Sequence, residues 1–148
     1  MIELEIRSPA SEAEWERYYD IRWRVLRDPW RQPRGSEQDH READSFHLAA
    51  WDRSGIPVAV GRVQMNSVSQ AQVRFMAVDP AWARQGLGSQ ILLALEAKAA
   101  EMGAAEVVLN ARADAQPFYR RHGYCRTGPA GTLFGKIPHD AMLKSLRL

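Results

Sequence analysis

Cysteine, lysine and long apolar runs are scarce in this 148-residue sequence, which has one cysteine and three lysines. The lone thiol, Cys125, excludes an internal disulfide framework and a zinc site built from several thiolates, and it points to a reducing compartment. No apolar stretch approaches the roughly 20 residues needed to cross a bilayer, so no membrane partner is expected. Residues 1–8 (MIELEIRS) alternate apolar and charged side chains, which reads as a strand and lacks the continuous apolar stretch of a signal peptide. These shortages together give a cytoplasmic expectation. Repeats, low-complexity tracts and linkers are also missing, and a chain of this length supports one core, so residues 1–148 are read as a single domain.

What replaces lysine is arginine. Seventeen of the 20 basic residues are arginine, set against 18 acidic residues for a net charge of +2. Six arginines fall between Arg17 and Arg34, interleaved with Trp23 and Trp30, a pattern that can mark a nucleic-acid surface. Glu12, Glu14, Glu16, Asp20 and Asp28 occupy the same stretch and cancel its basic field, so no nucleic-acid partner is expected.

Residues 11–27 read as a first helix, with Ser11 as N-cap, Glu14 completing a capping box, and the apolar rows Tyr18/Ile21/Val25 and Tyr19/Trp23/Leu26. Pro29 ends it. Residues 28–44 are polar and without period, which predicts a long functional loop holding at most a short helix, with Glu37 to His40 solvated. Residues 46–51, 57–65 and 73–78 read as three successive antiparallel strands. Leu87, Ile91, Leu92, Leu95, Ala99 and Met102 then mark one face of a helix that Gly103 stops. Residues 106–109 form a short buried strand, and residues 114–122 a short helix capped by Asp114. Residues 124–126 and 141–146 are the last strand candidates, joined by a Gly/Pro-containing loop. The class is mixed α/β (α+β) around one central, mostly antiparallel sheet flanked by helices, in the order β-α-(α)-β-β-β-α-β-α-β-β.

The most informative segment runs Val73-Arg74-Phe75-Met76-Ala77-Val78-Asp79-Pro80 and then Ala83-Arg84-Gln85-Gly86-Leu87-Gly88-Ser89. Glycines where a strand gives way to a helix let the backbone approach a ligand, and the free N–H groups of a helix start bind phosphates. A tight turn is the plainer account of the same residues. Two phosphate-binding templates fail. A Walker loop needs Gly-Lys-Ser/Thr, but Ser89 follows Gly88 directly. A dinucleotide fingerprint needs a third glycine where Ile91 stands.

Met76-Ala77-Val78-Asp79-Pro80 with Arg84-Gln85-Gly86-Leu87-Gly88-Ser89 resembles motif A of the GNAT superfamily of N-acetyltransferases. Downstream, Ala115-Gln116-Pro117-Phe118-Tyr119-Arg120-Arg121-His122-Gly123-Tyr124 resembles that family's A-x-x-φ-Y-x-x-x-G-F/Y segment, in register with the first. Asp44-Ser45-Phe46-His47-Leu48 and Ile137-Pro138-His139 are similar to segments of its compact stand-alone bacterial members. Two positions depart from the pattern. Ala83 stands where Arg or Gln is usual, and Arg112 replaces an Asn often found before the tyrosine.

The resemblance implies a sheet splayed around acetyl-CoA and no metal. The main chain of Met76, Ala77 and Val78 would pair with the pantetheine, and the amides of Arg84, Gln85, Gly86, Leu87, Gly88 and Ser89 would hold the pyrophosphate. Phe118 and Arg112 would also contact the cofactor. Tyr119 would be the general acid toward the departing thiolate, since a phenol stays protonated at neutral pH; a packed aromatic is its plain reading. The acceptor is an amine of a small molecule or protein, with a homodimer able to complete its site. Arg22, His47 and His139 would face it, although Arg22 reads equally as an ion-pair partner and His47 as a structural histidine. The base is open among Glu37, Asp39, His40, Asp44, His47 and His139, so a catalytically silent acyl-CoA-binding regulatory domain is the alternative. Cys125 reads as an inert half-buried thiol.

Overall fold

The computed structural model describes residues 4–147. Of the strand expected over residues 1–8, β1 spans Glu5–Arg7, and residues 1–3 lie outside the described chain. Helix α1 (Glu12–Leu26) starts at Ser11, whose hydroxyl accepts the Glu14 N–H at 3.2 Å. The capping box is displaced by one residue, because the Glu14 carboxylate takes the N–H of Ala10 instead and forks with Arg7 at 2.8 and 2.7 Å. Strands β2 (Phe46–Trp51), β3 (Pro57–Met65) and β4 (Gln70–Val78) form an antiparallel meander. After α2 (Leu87–Glu101) come β5 (Glu106–Arg112), α3 (Gln116–Arg121), β6 (Cys125–Leu133) and β7 (Ile137–Ser145).

The seven strands of the described residues form one sheet in the order β1-β2-β3-β4-β5-β7-β6, antiparallel except between β4 and β5. Alternation along the strands sorts side chains to two faces. Leu48 and Ala50 join α2 residues Ile91, Leu92, Leu95 and Ala99 in one core cluster. Ala49, Trp51, Val60 and Ala77 pack with Tyr18 and Ile21 of α1 in a second. The helices therefore cover opposite faces of the meander.

Met102, expected on the buried face of α2, is exposed just beyond the helix, while Glu96 is buried instead. Its carboxylate accepts from the Tyr124 hydroxyl at 2.7 Å and the Lys144 ammonium at 2.8 Å, tying α2 to the last strands. Asp114 does not cap α3. Its carboxylate is forked by Arg112 at 2.7 and 2.8 Å, and Ala115 holds the cap position. The final strands run much longer than expected, because Gly128, Pro129 and Gly131 sit inside β6 at two register shifts. As the outermost strand, β6 tolerates a proline that a central strand could not. Its first residue, Cys125, is exposed rather than half-buried.

Candidate functional site

The parallel pairing of β4 with β5 lasts three residues, from Gln70↔Glu106 to Gln72↔Val108. From Val73 onward the two strands diverge, each keeping only its other neighbour. The cause lies in β4. Phe75 adopts a left-handed conformation (φ 58°), and the register with β3 shifts between Val60 and Arg62, so β4 bulges away from its partner. Gly61 sits at this shift, where a Cβ would lie 2.7 Å from the Met76 sulfur and 2.8 Å from Ile91 and Leu95. Only glycine lets the bulge and α2 approach so closely. The divergence leaves a cleft of about 380 Å³, lined on one side by residues 72–76 and on the other by residues 109–112.

Beyond the C-terminal end of β4, two left-handed residues, Arg84 (φ 64°) and Gly86 (φ 77°), turn the chain into α2. No side chain caps that helix start, so its first amides are left for water or a ligand. Phe118 closes against it: a Cβ on Gly88 would lie 3.4 Å from the Phe118 ring and 3.7 Å from Val78. Ser89 Oγ and His122 Nε2 are 2.8 Å apart, linking α2 to the end of α3. Met76 lines the cleft, and Ala77 and Val78 continue its strand toward residues 84–89.

Tyr119 lines the cleft with only 8% of its surface exposed, and its hydroxyl makes no hydrogen bond among the described residues. Burial pushes its phenol up to about 12. His139 and Arg112, opposite each other across β5 and β7, line the same cleft. His139 Nδ1 lies 2.9 Å from the Ile137 carbonyl, which can only accept, so in the neutral ring the proton sits on Nδ1 and Nε2 presents a lone pair.

Arg22 and His47 lie outside the cleft lining, in a polar network under α1. Arg22, fully buried, donates to the Glu42 carboxylate at 2.9 Å, the Glu37 carbonyl at 2.8 Å and the Tyr18 hydroxyl at 3.0 Å. His47 has both nitrogens occupied, Nδ1 by the Tyr18 hydroxyl at 2.9 Å and Nε2 by the Glu42 carbonyl at 2.8 Å. Burial lowers its pKa, so it is neutral at pH 7. Glu37, expected to be solvated, is buried with 5% exposure. It closes its own turn through the Gly35 N–H.

The network extends to charged residues on the strands beneath. Arg62, fully buried in β3, faces Arg74 across the β3–β4 pair, and Asp39 bridges them with hydrogen bonds of 2.7 and 2.8 Å. Glu42 bonds both Arg22 and Arg62. Burial alone would raise Asp39, but bonds from Arg62 and the Arg41 amide and the charges of Arg62 and Arg74 hold it at about 2. A carboxylate so tightly paired is a poor base. Asp44 is exposed and bonded to Arg41 at 2.9 Å, and His40 is exposed. Of the six base candidates, His139 alone lines the cleft. The clue available in the sequence was Arg62 and Gln64 interrupting an otherwise apolar strand.

The profile of the Acetyltransferase (GNAT) family matches residues 15–124. The chain is 35% identical over 112 residues to the uncharacterised N-acetyltransferase YjcF of Bacillus subtilis, covering 76% of this chain and 79% of that one. It is 31% identical over 140 residues to the uncharacterised N-acetyltransferase YitI of the same organism, covering 87% and 90%. An aminoglycoside 6′-N-acetyltransferase solved in complex with coenzyme A has the same fold, with a TM-score of 0.81 over 99% of this chain and 98% of that one at 13% identity. The split sheet, the uncapped glycine turn and the matched family profile all lead to one assignment: the chain belongs to the GNAT acetyltransferase family, and its chemistry is acyl transfer to an amine.

Proposed function

We propose that the protein moves an acetyl group from acetyl-CoA to an amine by direct attack, in the cytoplasm, with Tyr119 and His139 handling the protons. The observation that carries this reading is the hydroxyl of the buried Tyr119, without a hydrogen-bond partner among the described residues, and the His139 Nε2 acceptor lining one cleft, beside a strand edge freed by the β4 bulge. The residues present suit the cosubstrate. The amides of residues 84–89 meet the pyrophosphate at the α2 start, the free edge of Met76, Ala77 and Val78 pairs with the pantetheine, and Phe118 and Arg112 flank it. Acetyl-CoA brings an activated acyl carbon on a thiol leaving group.

His139 Nε2 takes a proton from the attacking nitrogen, directly or through water. As the carbon–sulfur bond breaks, Tyr119 donates a hydrogen bond and then a proton to the sulfur. The proton gained by His139 balances the one lost by Tyr119, so solvent exchange resets the pair. A phenol near 12 is a weaker acid than a thiol near 8.5, and complete transfer between them is uphill by about 5 kcal/mol. Hydrogen bonding to the developing negative charge is thus the larger part of the contribution of Tyr119.

The test is thiol release from acetyl-CoA across a panel of primary amines. Amine-dependent release is the expected result. Tight acetyl-CoA binding without release by any amine would favour the silent binding domain, and no binding would remove the proposal.

A further inference from the structure

Three arginines line the cleft, and two of them are already matched with carboxylates. Arg112 forks Asp114 and Arg74 donates to Asp39. Arg27 is different. Its Nε donates to the Ser36 carbonyl at 2.9 Å and its Nη1 to the Leu26 carbonyl at 3.2 Å, and no carboxylate pairs with it among the described residues. Nη2 makes no hydrogen bond among the described residues and Nη1 keeps a second hydrogen, so the guanidinium retains donors for a carboxylate.

The surroundings make this cation costly to leave alone. Arg22, Arg27, Arg62 and Arg74 all stand within 4.3 to 5.5 Å of the Phe75 ring centre. Among the described residues, only Glu42 and Asp39 bond to any of them through carboxylates. The buried Glu37 acts on Arg27 through space, its oxygens being taken by the Gly35 N–H and Gln38. Four guanidiniums against three carboxylates leave a net positive charge on the group, and Arg27, the one with no carboxylate bonded to it among the described residues, stands half-buried at the cleft wall between Phe75 and Phe134, 5.5 and 5.3 Å from their ring centres. A half-buried cation with no carboxylate bonded to it among the described residues is what a ligand anion would offset.

We infer that this end of the cleft binds the carboxylate of the acceptor through Arg27, so that the substrates are primary amines carrying a carboxylate on an apolar body. Leu26, Trp30, Phe75 and Leu133 supply the apolar wall beside the guanidinium. This inference rests on acyl transfer taking place in the same cleft.

The experiment compares kcat/KM for amines offered as matched acid and amide, phenylalanine with phenylalaninamide and β-alanine with β-alaninamide, in the wild type, Arg27→Gln and Arg27→Lys. The amide's amino group is the less basic, so it is more deprotonated at neutral pH and intrinsic reactivity favours the amide. A preference for the acid must come from the protein. The acids should exceed their amides roughly tenfold or more in the wild type, in keeping with a charge-assisted pair. Arg27→Gln should bring the ratio to near one at unchanged acetyl-CoA affinity, and Arg27→Lys should keep part of it, since the charge remains but the fork does not. Equal use of acid and amide by the wild type, or a ratio that survives Arg27→Gln, would overturn the inference. If no amine is turned over, calorimetry of the CoA-loaded protein with N-acetylphenylalanine and its amide separates the two ideas. Binding of the acid alone, lost in Arg27→Gln, would support the anion site and sink acyl transfer, whereas binding of neither would sink the anion site.

Discussion

Replacing Tyr119 with phenylalanine is expected to lower kcat by about 10²- to 10³-fold, the usual loss when one preorganised donor to a developing anion is removed. Two quantities should hold. Acetyl-CoA affinity should stay near the wild-type value, because the ring that packs on Phe118 and Tyr124 is retained. The melting temperature should also stay, because the hydroxyl has no hydrogen bond to lose among the described residues. The pH profile gives a further check. Burial holds the phenol at about 12, so wild-type kcat should show no alkaline fall from this group below roughly pH 10. A Phe variant with wild-type kcat would remove Tyr119 from the chemistry and return it to the packed aromatic that its sequence context also allowed.

The second large effect concerns stability. Glu42 is the shared carboxylate of two fully buried guanidiniums, with ion-pair distances of 2.9 Å to Arg22 and 2.7 Å to Arg62. Glu42→Ala leaves Arg22 with neutral acceptors only, while Arg62 keeps Asp39. Breaking a buried pair from one side typically costs about 3–5 kcal/mol, mostly as the penalty of the stranded charge. For a domain of this size that is a fall in melting temperature of roughly 10 °C, readable by circular dichroism. The wild-type network should also resist acid. Asp39, depressed to about 2, contributes stability that is complete above the unfolded carboxylate value near 3.9 and is lost as the pH falls through about 2. A Glu42→Ala protein melting within about 2 °C of wild type would mean that solvation by water makes up for the lost carboxylate.

Which parts of this architecture show in the sequence follows from how local the forces are. Helix α1 is legible because Ser11 and Tyr18/Ile21 act within a turn or two of one another, and α2 because Leu87, Ile91, Leu92 and Leu95 repeat on one face. The glycine turn reads well for the same reason. Residues 28–44 do not, since they are ordered by pairing with distant strands: Asp39 meets Arg62 and Arg74, and Glu42 meets Arg22 and Arg62, so no local period exists to detect. Two single turns of 3₁₀ helix, Asp28–Trp30 and Glu42–Asp44, are all the regular structure there. The extent of β6 was hidden by Gly128, Pro129 and Gly131, which read as a loop unless the strand is known to be outermost. At the candidate site, the glycines and Tyr119 were visible as motif residues. Phe75 and Arg27 were not, because a left-handed bulge and an unmatched charge are properties of the fold around them.

The most direct measurement is amide hydrogen exchange with and without acetyl-CoA, read along the whole chain. Acetyl-CoA in the opening between β4 and β5 predicts slowed exchange concentrated at residues 84–89, where the α2 start lacks a cap, and along residues 76–78 on the freed strand edge. Unchanged exchange in both segments, with excess acetyl-CoA either failing to bind or protecting another part of the molecule, would contradict the account.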